Sequence, residues 1–234
     1  MIQNFKQDFK ELIDLVHSNK PFALSRFADG EIAIMQGRQK NGADKWISPD
    51  YLTSLGSDLL ECISLQDDNV YFGISCGCCD TKGRDYLLSL MNTKKDNTTF
   101  SNLFVNGNYS NFMNFFSNLK TPIHLISNHT TDISRFPMEV KSHLPIPDNC
   151  IEFYENLRDD FRQSIVDYYK DVNNELFIIS AGPLSEIIID ILWKINPTNQ
   201  YIDVGSSISE FVHGNPIREF AFEWSKYHKK DCIF

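Results

Sequence analysis

Apolar and polar positions along this chain follow two periods in alternation. Phe5, Phe9, Leu12, Ile13 and Val16 recur every three or four residues, the spacing of one face of an amphipathic helix. Residues 3–18 are therefore expected to form a helix lying on a sheet. Phe22 to Phe27 is short and mostly apolar, and Pro21 precedes it. A run of that kind reads as a strand buried on both faces, as in a parallel sheet. Ile32 to Met35 open a short helix that Gly37 ends. Ser48-Pro49-Asp50 reads as a helix start, with Pro49 near the first position. Leu52, Leu55, Leu59, Leu60 and Ile63 continue that helix to about Leu65.

The alternation then repeats. Asn69 to Ser75 is a second strand, Tyr86 to Met91 a helix and Pro122 to Ser127 a third strand. Polar stretches at 38–44 and 92–99 punctuate the chain, and Phe104, Phe112, Phe115 and Phe116 give an aromatic-faced segment before Leu119. Pro137, Pro145 and Pro147 frame a connection without a helical period. Phe153, Leu157, Phe161, Ile165 and Tyr168 form a helix to about Val172. Leu176 to Ser180 is a strongly apolar strand, Ala181-Gly182-Pro183 a turn, and Leu184 to Ile195 a helix. Tyr201 to Ser206 is the last strand and its exit, and Phe211 to Pro216 a turn. Strand–helix alternation of this kind predicts an α/β fold, three-layered and Rossmann-like, with a largely parallel sheet. One domain over residues 1–234 is expected.

Composition narrows the function. A chain of 234 residues with 42% hydrophobic and 23% charged content is an ordinary globular protein. Its formal net charge of −9 argues against a nucleic-acid surface, which needs clustered Lys and Arg. The apolar run Leu176 to Trp193 is broken by Glu186 and Asp190, so no membrane span is expected. The first residues lack the apolar segment of a secretory signal. Six cysteines in a chain this long do not suggest a disulfide scaffold, and a reducing, cytoplasmic setting is expected.

The chemistry is expected at strand ends, because open α/β sheets bind ligands outside the carboxyl ends of their strands. Asp29-Gly30-Glu31 follows the first strand at once, where the chain runs into a loop. Two carboxylates flanking a glycine suit a hard divalent cation, Mg²⁺ or Mn²⁺, and Gly30 lets the backbone approach a ligand. The turn at Ala181-Gly182-Pro183 opens a helix whose N–H groups can meet a phosphate. No Gly-x-Gly-x-x-Gly is present, which argues against a dinucleotide. Asn128-His129 follows the third strand, so His129 faces the ligand edge. Cys78 and Arg84 have the Cys-x₅-Arg spacing of cysteine-dependent phosphatases, but Gly77, Thr81 and Asp85 depart from that pattern. Zinc on Cys76, Cys78 and Cys79 is not favoured, since no second ligand pair stands at suitable spacing.

The string Ser25-Arg-Phe-Ala-Asp-Gly-Glu-Ile32, with Gly37 shortly after, resembles the Arg-Phe-Gly-Asp-Gly-Glu signature of GT-D type glycosyltransferases. Ala28 stands where that family usually has glycine, which removes freedom for positive φ. Asn69 to Ser75, Ser180 to Gly182 and Asp203 to Ser206 resemble further blocks of the family, and Arg218 resembles an arginine kept after the last of these. The resemblance implies a metal-dependent transferase that uses a nucleotide-diphosphate sugar, a UDP-sugar first of all, and a carbohydrate or glycoconjugate acceptor. It links Asp29 and Glu31 to the metal and to catalysis. Arg26, Phe27, Gly30, Ser180, Gly182, Gly205, Ser206 and Arg218 fall in the matching blocks as donor-binding positions. The general base stays open among Asp80, His129 and Asp203, and Asp203 alternatively holds ribose or caps its turn. A phosphate-ester or nucleotide-sugar hydrolase and a non-catalytic binding subunit are the rival readings, and self-association is left open.

Overall fold

The computed structural model describes residues 3–41, 46–91 and 97–234. The polar stretches expected at 38–44 and 92–99 therefore lie partly outside the described residues. Along the chain come α1 (Phe5–Ser18), β1 (Phe22–Arg26), α2 (Asp29–Met35), β2 (Lys40–Asn41), β3 (Ile47–Ser48), α3 (Ser54–Cys62), β4 (Val70–Ile74), α4 (Thr81–Leu90) and β5 (Thr98–Phe100). They are followed by α5 (Tyr109–Asn118), β6 (Ile123–Asn128), β7 (Val140–Ile146), α6 (Cys150–Tyr169), β8 (Leu176–Ser180), α7 (Ser185–Ile195), β9 (Gln200–Asp203) and α8 (Ser209–His213).

Seven strands make one sheet in the order β5-β4-β1-β9-β8-β6-β7. Every adjacent pair in it is parallel. The apolar strand pattern sets the layers, because successive side chains leave opposite faces. Leu24, Leu125, Ile178 and Ile202 pack with Phe9 and Leu12 of α1 and Phe112 and Phe116 of α5 on one face. Ala23, Phe72, Ile179 and Tyr201 pack with α3, α6 and α7 on the other. Helices on both faces explain why the central strands read as continuous apolar runs. The expected three-layer Rossmann-like arrangement is what forms.

Several elements differ from expectation for local reasons. Asp29 to Glu31 is the first turn of α2, not a loop. Ser48 does not start a helix: β3 pairs antiparallel with β2, and Ser48 Oγ donates to the Arg38 carbonyl at 2.7 Å. The helix starts later because Thr53 Oγ1 accepts the Gly56 N–H at 3.0 Å, which satisfies a donor the first turn leaves orphaned. Helix α4 begins at Thr81 rather than Tyr86, since the Asp80 carboxylate accepts the Gly83 N–H at 2.9 Å. The residues from Phe211 are not all turn, because α8 runs to His213 and Gly214, at φ 81°, ends it. Strands β5 and β7 were not anticipated; both lie at sheet edges. Pro145 is tolerated in β7 because an edge strand has one side without ladder bonds.

Candidate functional site

At the carboxyl ends of β1, β8 and β9 lies a cleft of about 430 Å³. Arg26, Asp29, Gly30, Glu31, Ser180, Gly182, Asp203, Gly205, Ser206 and Arg218, residues read from separate sequence blocks, all line it. Parallel pairing of β1 with β9 and of β9 with β8 brings the three strand ends together. The chain leaves β1 through Phe27, whose N–H donates to the Gly73 carbonyl at 2.7 Å. Ala28 is extended at φ −125°. No positive φ is needed there, so alanine fits where the resembling family has glycine.

The two carboxylates of Asp29-Gly30-Glu31 are unequal. Asp29 lies at the rim with its side chain 72% exposed, and Lys40 Nζ sits 2.6 Å from its Oδ2. Glu31 turns inward and its Oε2 accepts the Ala28 N–H at 2.9 Å, which caps α2. Burial pushes the Glu31 carboxyl up to about 7 against the pull of that hydrogen bond, and the charges of Asp203 and Asp29 push it the same way. Gly30 faces Trp46, whose Cη2 would lie 3.2 Å from an added Cβ.

Arg26 and Asp203 form the floor. The Arg26 guanidinium donates from Nε to the Asp203 carbonyl at 2.7 Å and from Nη1 to the Ser101 carbonyl at 2.6 Å. It also rests 5.3 Å from the centre of the Phe104 ring. Asp203 Oδ1 accepts the Gly205 N–H at 2.8 Å, so this aspartate caps its own turn, through Gly205 rather than Ser206 and Ser207. Burial raises its carboxyl and Arg26 opposes the rise. Ser180 Oγ donates to the Gly205 carbonyl at 2.8 Å and ties β8 to the same turn.

Three expected positions are not brought to the cleft. Phe27 is fully buried, 6.2 Å from Phe72 between ring centres, and is core rather than a ligand contact. His129 is exposed beyond the end of β6 and does not line the cleft. Asp80 caps α4 and lines a neighbouring cavity that shares Asp29. Nor do Cys78 and Arg84 form a phosphate cradle, since Arg84 is held by Asp85 at 3.0 Å.

Sequence reasoning missed Glu186. It is 2% exposed near the start of α7, lines the cleft, and its Oε2 has no hydrogen-bond partner. Burial pushes its carboxyl well up, and the charges of Glu31 and Asp203 add to that. The available signal was a carboxylate in an otherwise apolar run directly after the Ala-Gly-Pro turn. Trp46, Lys40 and Asn102 were missed as well. Arg218 arrives from the chain after α8, and its Nε is buried without a hydrogen-bond partner.

Among the described residues the lining therefore holds the carboxylates of Asp29, Glu31, Glu186 and Asp203 against the cations Arg26, Lys40 and Arg218. Arg26 is consumed by Asp203. Four carboxylates converging on one cleft are the oxygen donors a hard cation such as Mg²⁺ or Mn²⁺ takes. Asp29 is occupied in this structure by the Lys40 ammonium, which a ligand at that carboxylate would displace.

No family model matches the chain, and no curated relative does. Solved structures do. One, a domain of unknown function 1792 described as having a distinct glycosyltransferase fold, is 14% identical, with TM-score 0.57 over 88% of this chain and 81% of that one. A selenomethionine-substituted structure of domain of unknown function 1792 gives TM-score 0.57 at 14% identity, over 97% and 88% of the two chains. A glycosyltransferase of the same type from Streptococcus sanguinis gives 0.57 at 15%, over 97% and 92%. At such identity the likeness is one of fold: this chain shares the fold of those structures.

Proposed function

We propose that this protein is a metal-dependent glycosyltransferase that moves a sugar from a nucleotide-diphosphate sugar, a UDP-sugar first of all, to a carbohydrate or glycoconjugate acceptor. The observation that carries the reading is the composition of the cleft: Asp29 and Glu31 at the end of β1 line it together with Arg218, whose Nε is unpartnered, and Glu186, whose Oε2 is unpartnered. The fold shared with glycosyltransferase structures supports it.

In this reading Asp29 and Glu31 hold Mn²⁺ or Mg²⁺, which supplies Lewis-acid stabilisation to the diphosphate. Arg218 donates a charge-assisted hydrogen bond to a phosphate oxygen. As the sugar C1–O bond to phosphate breaks, its electron pair stays on the diphosphate. The acceptor oxygen bonds to C1 and loses its proton to a carboxylate. Glu186 suits that role better than Asp203, because Asp203 is engaged by Arg26 and by its own turn. A raised pKa makes Glu186, once ionised, the stronger base. Ser180, Gly182, Gly205 and Ser206 bound the donor side of the cleft.

The test is a screen of nucleotide-sugars with Mn²⁺, with and without sugar acceptors, that reads nucleotide release. Release that depends on acceptor and metal supports transfer. Release of free sugar without acceptor favours a hydrolase, and saturable binding without turnover favours a binding subunit.

A further inference from the structure

Four thiols converge away from the cleft floor. Cys76, Cys78 and Cys79 lie between β4 and α4, and Cys232 comes from the far end of the chain. All four are free, and their Sγ atoms lie within 4.8 Å of one another. Cys76 and Cys78 are 3.5 Å apart at sulfur, Cys78 and Cys79 3.9 Å. Tetrahedral zinc with four Zn–S bonds of about 2.3 Å requires sulfurs roughly 3.8 Å apart. We propose that Cys76, Cys78, Cys79 and Cys232 form a structural tetrathiolate zinc site.

The backbone and the surroundings suit it. Cys76 and Cys79 have the Cys-x₂-Cys spacing common to zinc sites. The Cys79 and Asp80 N–H groups both donate to the Cys76 carbonyl, at 3.2 and 3.0 Å, which folds this loop into a chelating turn. The expectation against zinc sought a second ligand pair at a nearby spacing, whereas the fourth thiol, Cys232, is brought in by tertiary structure. Donors surround the sulfurs: Asn102 Nδ2 and Asn106 Nδ2 lie 3.1 and 3.3 Å from Cys232 Sγ, and Lys230 Nζ lies 3.1 Å from Cys79 Sγ. Such donors are the outer partners that metal-bound thiolates use, and the lysine offsets part of their charge. Four soft sulfurs select zinc over the hard cation of the carboxylate cleft, and four protein ligands leave no open position for catalysis.

The site fastens the tail to the sheet. The Gly77 N–H donates to the Ile233 carbonyl at 3.0 Å, and the Gly107 N–H to the Lys230 carbonyl at 2.9 Å. Asn102, which faces the sulfurs, also lines the cleft, as do Arg218 and Phe220 of the tail segment. Zinc would thus hold one cleft wall in place without touching the reacting groups.

The experiment uses full-length protein purified from zinc-supplemented medium without chelator, analysed for metals and titrated with Co²⁺. The expected result is one zinc per chain and, with cobalt, a strong sulfur-to-cobalt absorption band. Both should persist in the Asp29→Asn/Glu31→Gln variant and vanish in Cys76→Ser/Cys79→Ser. Should that double variant fail to fold, Cys78→Ser is the substitute, and it should weaken zinc by about tenfold or more in competition with a chromophoric chelator. Iron in place of zinc overturns the proposal. So does zinc bound no more tightly than by a variant with all four cysteines changed to serine. A chain that carries disulfides among these cysteines and no metal overturns it equally.

Discussion

Arg26 grips Asp203 twice, through its backbone carbonyl at 2.7 Å and through its carboxylate at 3.1 Å. Both side chains are nearly buried, at 10% and 5% exposure. Neither charge is then free for a ligand, although each belongs to a block that resembles a donor-binding motif. Breaking a buried pair from one side leaves the other charge unpaired. Arg26→Gln should lower unfolding free energy by about 3–5 kcal/mol. Urea denaturation checks this. A loss under about 1 kcal/mol would mean that the pair behaves like an exposed one.

Asp29 and Glu31 give the second prediction. Glu31→Gln keeps an oxygen able to accept the Ala28 N–H, so the α2 cap survives and only the charge is removed. Turnover of donor with Mn²⁺ should fall by about two orders of magnitude or more, at ~1.4 kcal/mol per decade. The thermal midpoint should hold or rise. Asp29→Asn should fall comparably in rate, and raised Mn²⁺ should rescue it in part, since that carboxylate is at the open rim. A near-normal rate for Glu31→Gln would remove the metal assignment.

Glu186 sets a pH dependence. Its folded pKa lies well above the ordinary value, so the folded state holds a proton that the unfolded chain releases. Stability from this group is therefore complete below the unfolded pKa, and it declines as pH rises toward the folded pKa. Glu186→Gln cannot ionise. In EDTA its thermal midpoint should match the parent near pH 4 and exceed it increasingly toward pH 8. A constant offset across that range would show that Glu186 does not titrate. The same variant should lose transferase activity at every pH.

Gly205 provides a steric test. Its φ is +48°, and an added Cβ would lie 2.2 Å from Arg26 Nη2. Gly205→Ala combines an unfavourable left-handed residue with displacement of the Arg26–Asp203 pair. A loss of more than about 1 kcal/mol in chemical denaturation is expected. An unchanged midpoint would show that the floor yields freely.

Much of this was legible in the sequence because strand ends and short apolar runs are local signals. Leu176 to Ser180 and Phe22 to Phe27 announced buried strands, and the residues just after each one do line the cleft. The edges were less legible. Thr98–Phe100 is too short to show a period, and Pro145 disguised β7. Phe27 illustrates the limit of motif reading, since a residue inside a motif can be there to pack. Glu186 illustrates the reverse. A carboxylate in an apolar helix looks like an interruption until the fold sets it beside Glu31 and Asp203. The convergence of Cys232 on the Cys76–Cys79 loop had no local signal at all.

Trp46 offers a practical consequence. Of the three tryptophans, it alone lines the cleft. Its ring reaches Gly30 on the β1 side and Gly182 on the β8 side. Trp193 is buried elsewhere, hydrogen-bonded to Asp67, and Trp224 is 76% exposed. Added iodide would silence Trp224 and leave the other two emitting. With Trp193 outside the cleft lining, the remaining emission change on titration of a cleft ligand is assigned to Trp46. The chain thus carries an intrinsic optical reporter, able to rank candidate donors and cations before any product has been identified.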